Sequence, residues 1–451
     1  MKLIPIKYCS YYYIYNCMDR ALYSCDKETY LQIKSNNDLS TIEHNNTNVL
    51  LRMLQHQQKV CSKELFSFPI FTRDSIVKSL AKVPHITLEI TERCNLKCVY
   101  CCYGNLYKKI QHNNPGDINK TVDYLKTLLK LRVQNKVYSD LRISFYGGEP
   151  LLRFDIIESC VDLAEKMLPK TKITFAMTTN GLLLDKYKTF LKEHNFNLCI
   201  SLDGNQENNS YRVLKNGKES FFDVIKSINS VYKFDTSFFE NNISFSTVLH
   251  NKNDFVGVCR FFNSYNKIPT FSFLSTTGVK GAHKRLSKIN TLHNYTDSEI
   301  QKFKVDFPSI YESFFGKTID SIYNWGGGNN PTDLNEILNR QKFIYPGGSC
   351  FLFQNRVFIT VNGEILLCEK SLRKFKFGKL SLNRLTIYTD RINNYYKDIK
   401  KNYLSNCHNC YKCYSCSECY FSEEESIIEK KCFCDKNQAI SEITEIIKSI
   451  E

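Results

Sequence analysis

The sequence predicts an α/β protein: a strand–helix core between a small N-terminal α+β region and a C-terminal cysteine-rich region. Three observations predict it. Short β-rich runs alternate with amphipathic helical runs from residue 86 to about 275. Polar motifs follow the ends of the first four of those strands. The cysteines fall in two clusters, one at the head of the alternating region and one near the end of the chain.

The strands expected are "ITLEI" (86–90), "LRISFY" (141–146), "KITFAMT" (172–178), "NLCIS" (197–201), "ISFSTV" (243–248) and "TFSFL" (270–274). Between the first two, "DINKTVDYLKTLLKL" carries Ile118, Val122, Leu125 and Leu129 on one helical stripe, behind Asp117 as cap. "FDIIESCVDLAEKML" (154–168), "DKYKTFLKEH" (185–194), "FFDVIKSINSVYK" (221–233) and "DFVGVCRFFNSY" (254–265) supply the later helices. Such alternation gives parallel strands with right-handed crossovers. Six strands fit a partial (β/α)6 barrel of the TIM type or an open doubly wound sheet, and the barrel is the fold expected here. In both, function sits at the C-terminal ends of the strands. There the chain places "TERCNLKCVYCC" (91–102), "GGEP" (147–150), "TTNG" (178–181) and "SLDG" (201–204).

With 451 residues, two or three domains are expected. The boundaries read as 1–85, 86–320 and 321–451. The net charge of +15 is dispersed, without the basic arm or face of a nucleic-acid binder, so no nucleic-acid partner is expected. "MKLIPIKYCSYYYIYN" lacks the apolar core of a signal peptide. No run of about 18 apolar residues is long enough to span a membrane. A cytoplasmic protein with no membrane partner is therefore expected. In that compartment thiols stay reduced, and clustered cysteines read as metal or redox ligands rather than disulfides.

Of 20 cysteines, four lie at 94–102 and nine between 350 and 434. Cys94, Cys98 and Cys101 are spaced C-x3-C-x2-C. Three thiolates in one loop can hold three irons of a cubane and leave the fourth iron open to a ligand. Three ligands of a zinc site completed elsewhere is the other reading of the spacing. "CNLKCVYC" resembles the signature of radical S-adenosylmethionine enzymes, with Tyr100 at the aromatic position before the third cysteine.

The resemblance implies a 4Fe–4S cluster on Cys94, Cys98 and Cys101. Its open iron would chelate the methionine part of S-adenosyl-L-methionine. One-electron cleavage would then give a 5′-deoxyadenosyl radical that abstracts hydrogen from the substrate. It further implies that Gly147, Gly148, Glu149 and Pro150 meet the methionine amino group, and that Asn180, Ser201 and Asp203 contact the cofactor. Arg212 becomes a partner for the cofactor carboxylate. Cys102 lies outside the pattern. A low-potential donor such as ferredoxin or flavodoxin is the electron source this implies.

In the C-terminal region, "RVFITVNGEILLC" reads as a hairpin turning at Asn362–Gly363, with Cys350 before it and Cys368 at its end. Cys407, Cys410, Cys413, Cys416 and Cys419 follow, each three apart, then Cys432 and Cys434. Zinc knuckles and ferredoxin-type clusters both use such spacings. The order resembles the SPASM extension, which implies two auxiliary 4Fe–4S clusters. By motif order Cys350, Cys368 and Cys419 go to one, and Cys407, Cys410, Cys416 and either Cys432 or Cys434 to the other. Cys413 is extra, and Cys419 comes one residue early.

Before the barrel, residues 8–34 read as two strands and a short helix, with more helix in "NVLLRMLQHQQKV". Many radical peptide maturases carry a small N-terminal peptide-recognition domain of this size and order, so the resemblance implies such a role for this segment, with structural scaffold as the other reading. An exposed strand edge could take a leader peptide. The function expected is an anaerobic peptide or protein maturase that forms a thioether or carbon–carbon crosslink in a ribosomally made peptide. A sulfatase-maturing, formylglycine-generating enzyme is the alternative. A non-catalytic iron–sulfur or zinc module is the rival of another class, and the rim motifs argue against it.

Overall fold

The structure is a computed structural model that describes residues 3–17, 21–35, 39, 50–55, 70–101, 114–253, 255–274, 305–308, 352–402, 420–422, 440 and 443–444. The N-terminal strands β1 (Leu3–Tyr8), β2 (Tyr11–Asn16) and β3 (Ala21–Cys25) form an antiparallel sheet in that order, followed by helix α1 (Lys27–Ser35). One strand more than expected is present, because Leu3–Tyr8 lies ahead of the stretch that reads as β. Ile14 packs with Tyr30 and Ile33 of α1 and with Leu51 and Leu54. Ile4, Ile6 and Tyr15 pack with Ile443 from the far end of the chain. Alternation along β2 sends Ile14 and Tyr15 to opposite faces, so both faces of this small sheet are covered.

Helix α2 (Arg73–Lys82) leads into the barrel strands β4 (His85–Thr91), β5 (Leu141–Gly147), β6 (Ile173–Thr179), β7 (Asn197–Ser201), β8 (Ile243–Leu249) and β9 (Thr270–Phe273). All five neighbouring pairs are parallel and follow chain order, with Leu88 opposite Phe145 and Phe145 opposite Met177. The crossovers are α3 (Ile118–Gln134), α4 (Phe154–Met167), α5 (Leu184–Glu193), α6 (Phe221–Phe234) with the short α7 (Thr236–Asn242), and α8 (Phe255–Asn263). All six expected strands and their helices are present, in the arrangement of a partial β/α barrel.

Local chemistry fixes the helices. Asp117 caps α3 by accepting from Lys120 N at 3.1 Å, an interaction worth about 1 kcal/mol. The inner face of α4 buries Ile156, Ile157, Cys160, Val161 and Ala164, and each large aliphatic contributes roughly 1.5–3 kcal/mol. At the end of α3 the buried Arg132 donates to Val83 O (2.8 Å) and Ser139 O (2.8 Å), joining the entries of β4 and β5.

The sheet does not stop at the barrel. Strand β10 (Val357–Ile359) pairs in parallel with β4, and β11 (Glu364–Leu366), β12 (Gly378–Ser381) and β13 (Arg384–Ile387) extend it antiparallel to ten strands. The expected hairpin is there: Phe358 faces Leu366, and the turn passes through Asn362 and Gly363 (φ +78°). Buried Glu89 of β4 locks the extension on. Its carboxylate accepts from Val361 N at 3.0 Å and pairs with Arg373 at 2.6 Å. Helix α9 (Thr389–Asn402) buries Ile392, Tyr396 and Ile399 in the same core as the barrel. None of the described helices is long and apolar enough to cross a membrane.

Candidate functional site

The loop after β4 carries Cys94, Cys98 and Cys101. The "GG" of the β5 motif explains how that loop lies on the rim. A Cβ on Gly147 would stand 2.2 Å from Thr91 O, and one on Gly148 would stand 2.3 Å from Arg93 O. Only glycine lets the two segments touch. Gly148 N then donates to Thr91 O (2.8 Å) and Glu149 N to Arg93 O (2.9 Å), so the β5 rim clasps the chain just before Cys94.

Glu149 is buried and turned inward. It accepts from Leu151 N (3.1 Å), Thr179 Oγ1 (2.8 Å) and Asn180 N (2.7 Å). Burial without a cation pushes its carboxyl up to about 7, in spite of those three hydrogen bonds. Pro150 opens a short 3-10 turn behind it. Asn180, at the end of β6, reaches the cysteine loop: its Nδ2 donates to Asn95 Oδ1 at 2.7 Å and lies 3.8 Å from Cys94 Sγ. Leu96 N donates to the same sulfur at 3.4 Å.

At the other end of the loop the hub is Asp203, two residues beyond β7 and fully buried. Arg212 clasps it with two bonds of 3.0 Å, from Nε to Oδ2 and from Nη2 to Oδ1. Tyr100 donates its hydroxyl to Oδ2, and Val248 N donates to Oδ1 at 2.9 Å. Burial alone would raise the Asp203 carboxyl. Arg212's charge and the donated hydrogen bonds outweigh that and hold it below its ordinary value. Arg212 lies 5.4 Å from the Tyr100 ring centroid. The expected carboxylate-binding arginine is thus committed on one edge to this chain's own aspartate. Ser201 is the last residue of β7, in register with Ser246.

The rim therefore brings together Cys94, Cys98, Cys101, Tyr100, Gly147, Gly148, Glu149, Asn180, Asp203 and Arg212. Burial raises Cys94 to about 11 and Cys98 to about 12, and Cys94 and Cys101 add to the rise at Cys98. Partly buried thiols whose thiolates would repel one another are helped to ionise by a bound cationic centre, and binding one releases protons. Among the described residues no three His, Cys, Asp or Glu side chains converge on a single ion. In a cubane each cysteine serves a different iron, so convergence on one point is not required. The donor set fits a cluster of that kind.

In the C-terminal region, Cys368 follows β11. Its N–H donates to Ser371 Oγ at 3.3 Å, and its thiol is raised by burial and by Glu369. Cys350, Cys407, Cys410, Cys413, Cys416, Cys419, Cys432 and Cys434 lie outside the described residues.

Two residues of this site carry no sequence motif. His250, one past β8, is buried with its Nε2 at 3.7 Å from Asp203 Oδ2. Tyr211 lies against it, with ring centroids 4.7 Å apart. The signal available was position alone, a polar residue just past a barrel strand, as at Asp203.

Comparison with known proteins agrees with this geometry. Residues 88–261 match the Radical SAM superfamily. The chain is 34% identical over 286 residues to an uncharacterised protein of Methanocaldococcus jannaschii, covering 63% of this chain and 84% of that one. It is 32% identical over 146 residues to the serine-type anaerobic sulfatase-maturating enzyme of Bacteroides thetaiotaomicron, a match spanning 31% of this chain and 34% of that enzyme. Among solved structures, native anSMEcpe with bound AdoMet aligns with a TM-score of 0.56 at 20% identity, covering 81% of this chain and 98% of that one. That likeness is one of fold. With the cysteine loop, the rim clasp and the superfamily match in agreement, the chain is an enzyme that belongs to the radical SAM superfamily.

Proposed function

We propose that this enzyme acts on a peptide or protein, and that the reaction is oxidation of a cysteine or serine side chain to formylglycine, as in sulfatase maturation. The similarity to a sulfatase-maturating enzyme in the barrel favours this over the crosslinking reaction expected from the sequence. The observation that carries the reading is the cysteine loop held at both ends by rim residues. Asn180 holds the Cys94 end, and Asp203 with Arg212 holds the Tyr100 end.

Cys94, Cys98 and Cys101 would hold the 4Fe–4S cluster. With S-adenosyl-L-methionine bound, that cluster would supply the electron, and the cofactor the radical, by which hydrogen is removed from the substrate carbon. The chain's own part is positioning. The Gly147–Gly148 segment presents backbone next to the cysteine loop. Asn180 fixes the Cys94 thiol and neutral amides brace Glu149. Asp203 orients Arg212, leaving the free edge of the guanidinium to meet a carboxylate. Cys368, together with Cys350 and the cysteines between 407 and 434, would hold auxiliary clusters that relay electrons from the substrate. A low-potential ferredoxin or flavodoxin would reduce the first cluster, in a cytoplasmic, anaerobic setting. Residues 1–85 would contribute to peptide recognition.

The test is anaerobic reconstitution with a sulfatase-type peptide bearing cysteine or serine, followed by aldehyde trapping and mass spectrometry. A trapped aldehyde at that residue is expected. A crosslinked product from a ribosomal peptide, with no aldehyde from either sulfatase peptide, would return the crosslinking reading.

A further inference from the structure

We propose that His250 is a positioning residue of the radical site, the third side chain that holds Asp203 and, through it, Tyr100 and Arg212. This rests on the reading of the rim as the cluster and cofactor site.

The argument begins at the end of β8. His250 N donates to Asn253 Oδ1 (2.8 Å), and Asn253 Nδ2 donates back to Val248 O (2.8 Å), which closes a tight turn. Inside that turn Lys252 N donates to His250 Nδ1 at 3.1 Å. A nitrogen that accepts carries no proton, so the neutral ring has its hydrogen on Nε2. The imidazole is completely buried, and among the described residues Nε2 has no hydrogen-bond partner. It faces Asp203 Oδ2 at 3.7 Å, just beyond hydrogen-bond length. An N–H left unpaired in a dry site is costly, and the nearest charge of the right sign is this carboxylate.

The ring is also held in place. Tyr211 packs on it at 4.7 Å and Tyr100 at 5.7 Å between centroids. Tyr211's own hydroxyl is fixed by Asn251 Oδ1 at 2.9 Å. Three elements thus meet at one carboxylate: the cysteine loop through Tyr100, the segment after β7 through Arg212, and the end of β8 through Val248 N and His250. Asp203 Oδ2 already receives Tyr100 and Arg212 Nε. His250 presses on it from the β8 side and limits how far the carboxylate can turn. A turned carboxylate would release Tyr100, two residues from Cys98 and one from Cys101, and would swing the guanidinium.

Three substitutions separate this role from mere filling of space or support of the turn. His250→Gln keeps a donor near the Nε2 position but loses the acceptor for Lys252 N. His250→Asn keeps that acceptor and loses the far donor. His250→Phe keeps only the shape. The readouts are equilibrium binding of S-adenosyl-L-methionine to the anaerobically reconstituted full chain, and the change it causes in the electron paramagnetic resonance signal of the reduced cluster. H250Q is expected to stay within about threefold of the parent, while H250N and H250F weaken binding by about tenfold and broaden the signal. A second measurement needs no cofactor. In the full chain as purified, H250F should lower the melting temperature by about 2 °C more when Asp203 is present than in an Asp203→Asn background, the part common to both being the lost acceptor for Lys252 N. The proposal is overturned if H250N matches the parent while H250Q resembles H250F, if all three match the parent, or if the melting shift is the same with and without Asp203. A parent chain that binds no cofactor would instead sink the reading of the rim, and the melting cycle would still decide the His250–Asp203 contact.

Discussion

Two buried carboxylates brace the two ends of the cysteine loop, and they do it by opposite physics. Asp203 faces a guanidinium and a phenol, and is held below its ordinary value. Glu149 accepts, among the described residues, from two backbone amides and a threonine hydroxyl, and is pushed up to about 7. Both are fully shielded from water. Burial raises either acid; at Asp203 the Arg212 charge, helped by the hydrogen bonds the carboxylate accepts, reverses the direction, while at Glu149 the hydrogen bonds alone do not. The Asp203 corner is therefore a fixed ion pair that positions charge. The Glu149 corner is a brace whose charge is marginal near neutral pH.

Breaking the ion pair should have the largest effect. Asp203→Asn leaves Arg212 charged and dry, and removing one partner of such a pair costs about 3–5 kcal/mol. Denaturant unfolding of the purified chain measures it. A loss under about 1 kcal/mol would mean the guanidinium finds another partner or water.

The Glu149 corner should show itself through pH. Between 4.5 and about 7 the folded chain holds a proton on Glu149 that the unfolded chain has released. Stability therefore falls as pH rises through that window, by roughly 3 kcal/mol in all. Glu149→Gln should flatten this slope, whatever it does to absolute stability. An unchanged slope in E149Q would assign the pH dependence to other groups.

The smallest of the three is Tyr100→Phe. It removes one hydrogen bond to a charged acceptor and keeps the ring that lies beside Arg212 and His250. A loss of about 1.5–3 kcal/mol is expected in the same unfolding assay. In an Asp203→Asn background the loss should shrink, because the acceptor is no longer charged.

The difference between the two corners also marks what the sequence could reveal. Strands such as "NLCIS" and "LRISFY" were legible because buried parallel strands read as apolar, β-branched runs closed by turn residues. The motifs were legible because each follows a strand end. The motifs mark Asp203 and Glu149, but not their opposite electrostatics. That contrast depends on Arg212, nine residues past Asp203, folding back, and on the absence of any such cation near Glu149 among the described residues. His250 carries no sequence signal, because a polar residue shortly after "ISFSTV" looks like any turn. Helix α7, "TSFFENN", is too short for a periodic stripe. The pairing of β10 with β4 joins residues about 270 apart, and no local pattern encodes it. The hairpin at Asn362–Gly363 was legible because its turn chemistry is local.

The central claim is that the loop braced at these corners holds the cluster that cleaves S-adenosyl-L-methionine. It is tested most directly by replacing Cys94, Cys98 and Cys101 together with alanine, purifying the chain anaerobically, and measuring iron and 5′-deoxyadenosine on the same sample. Iron should fall by about four atoms per chain, one cubane, and 5′-deoxyadenosine formation should disappear. Undiminished 5′-deoxyadenosine in the triple variant would contradict the account.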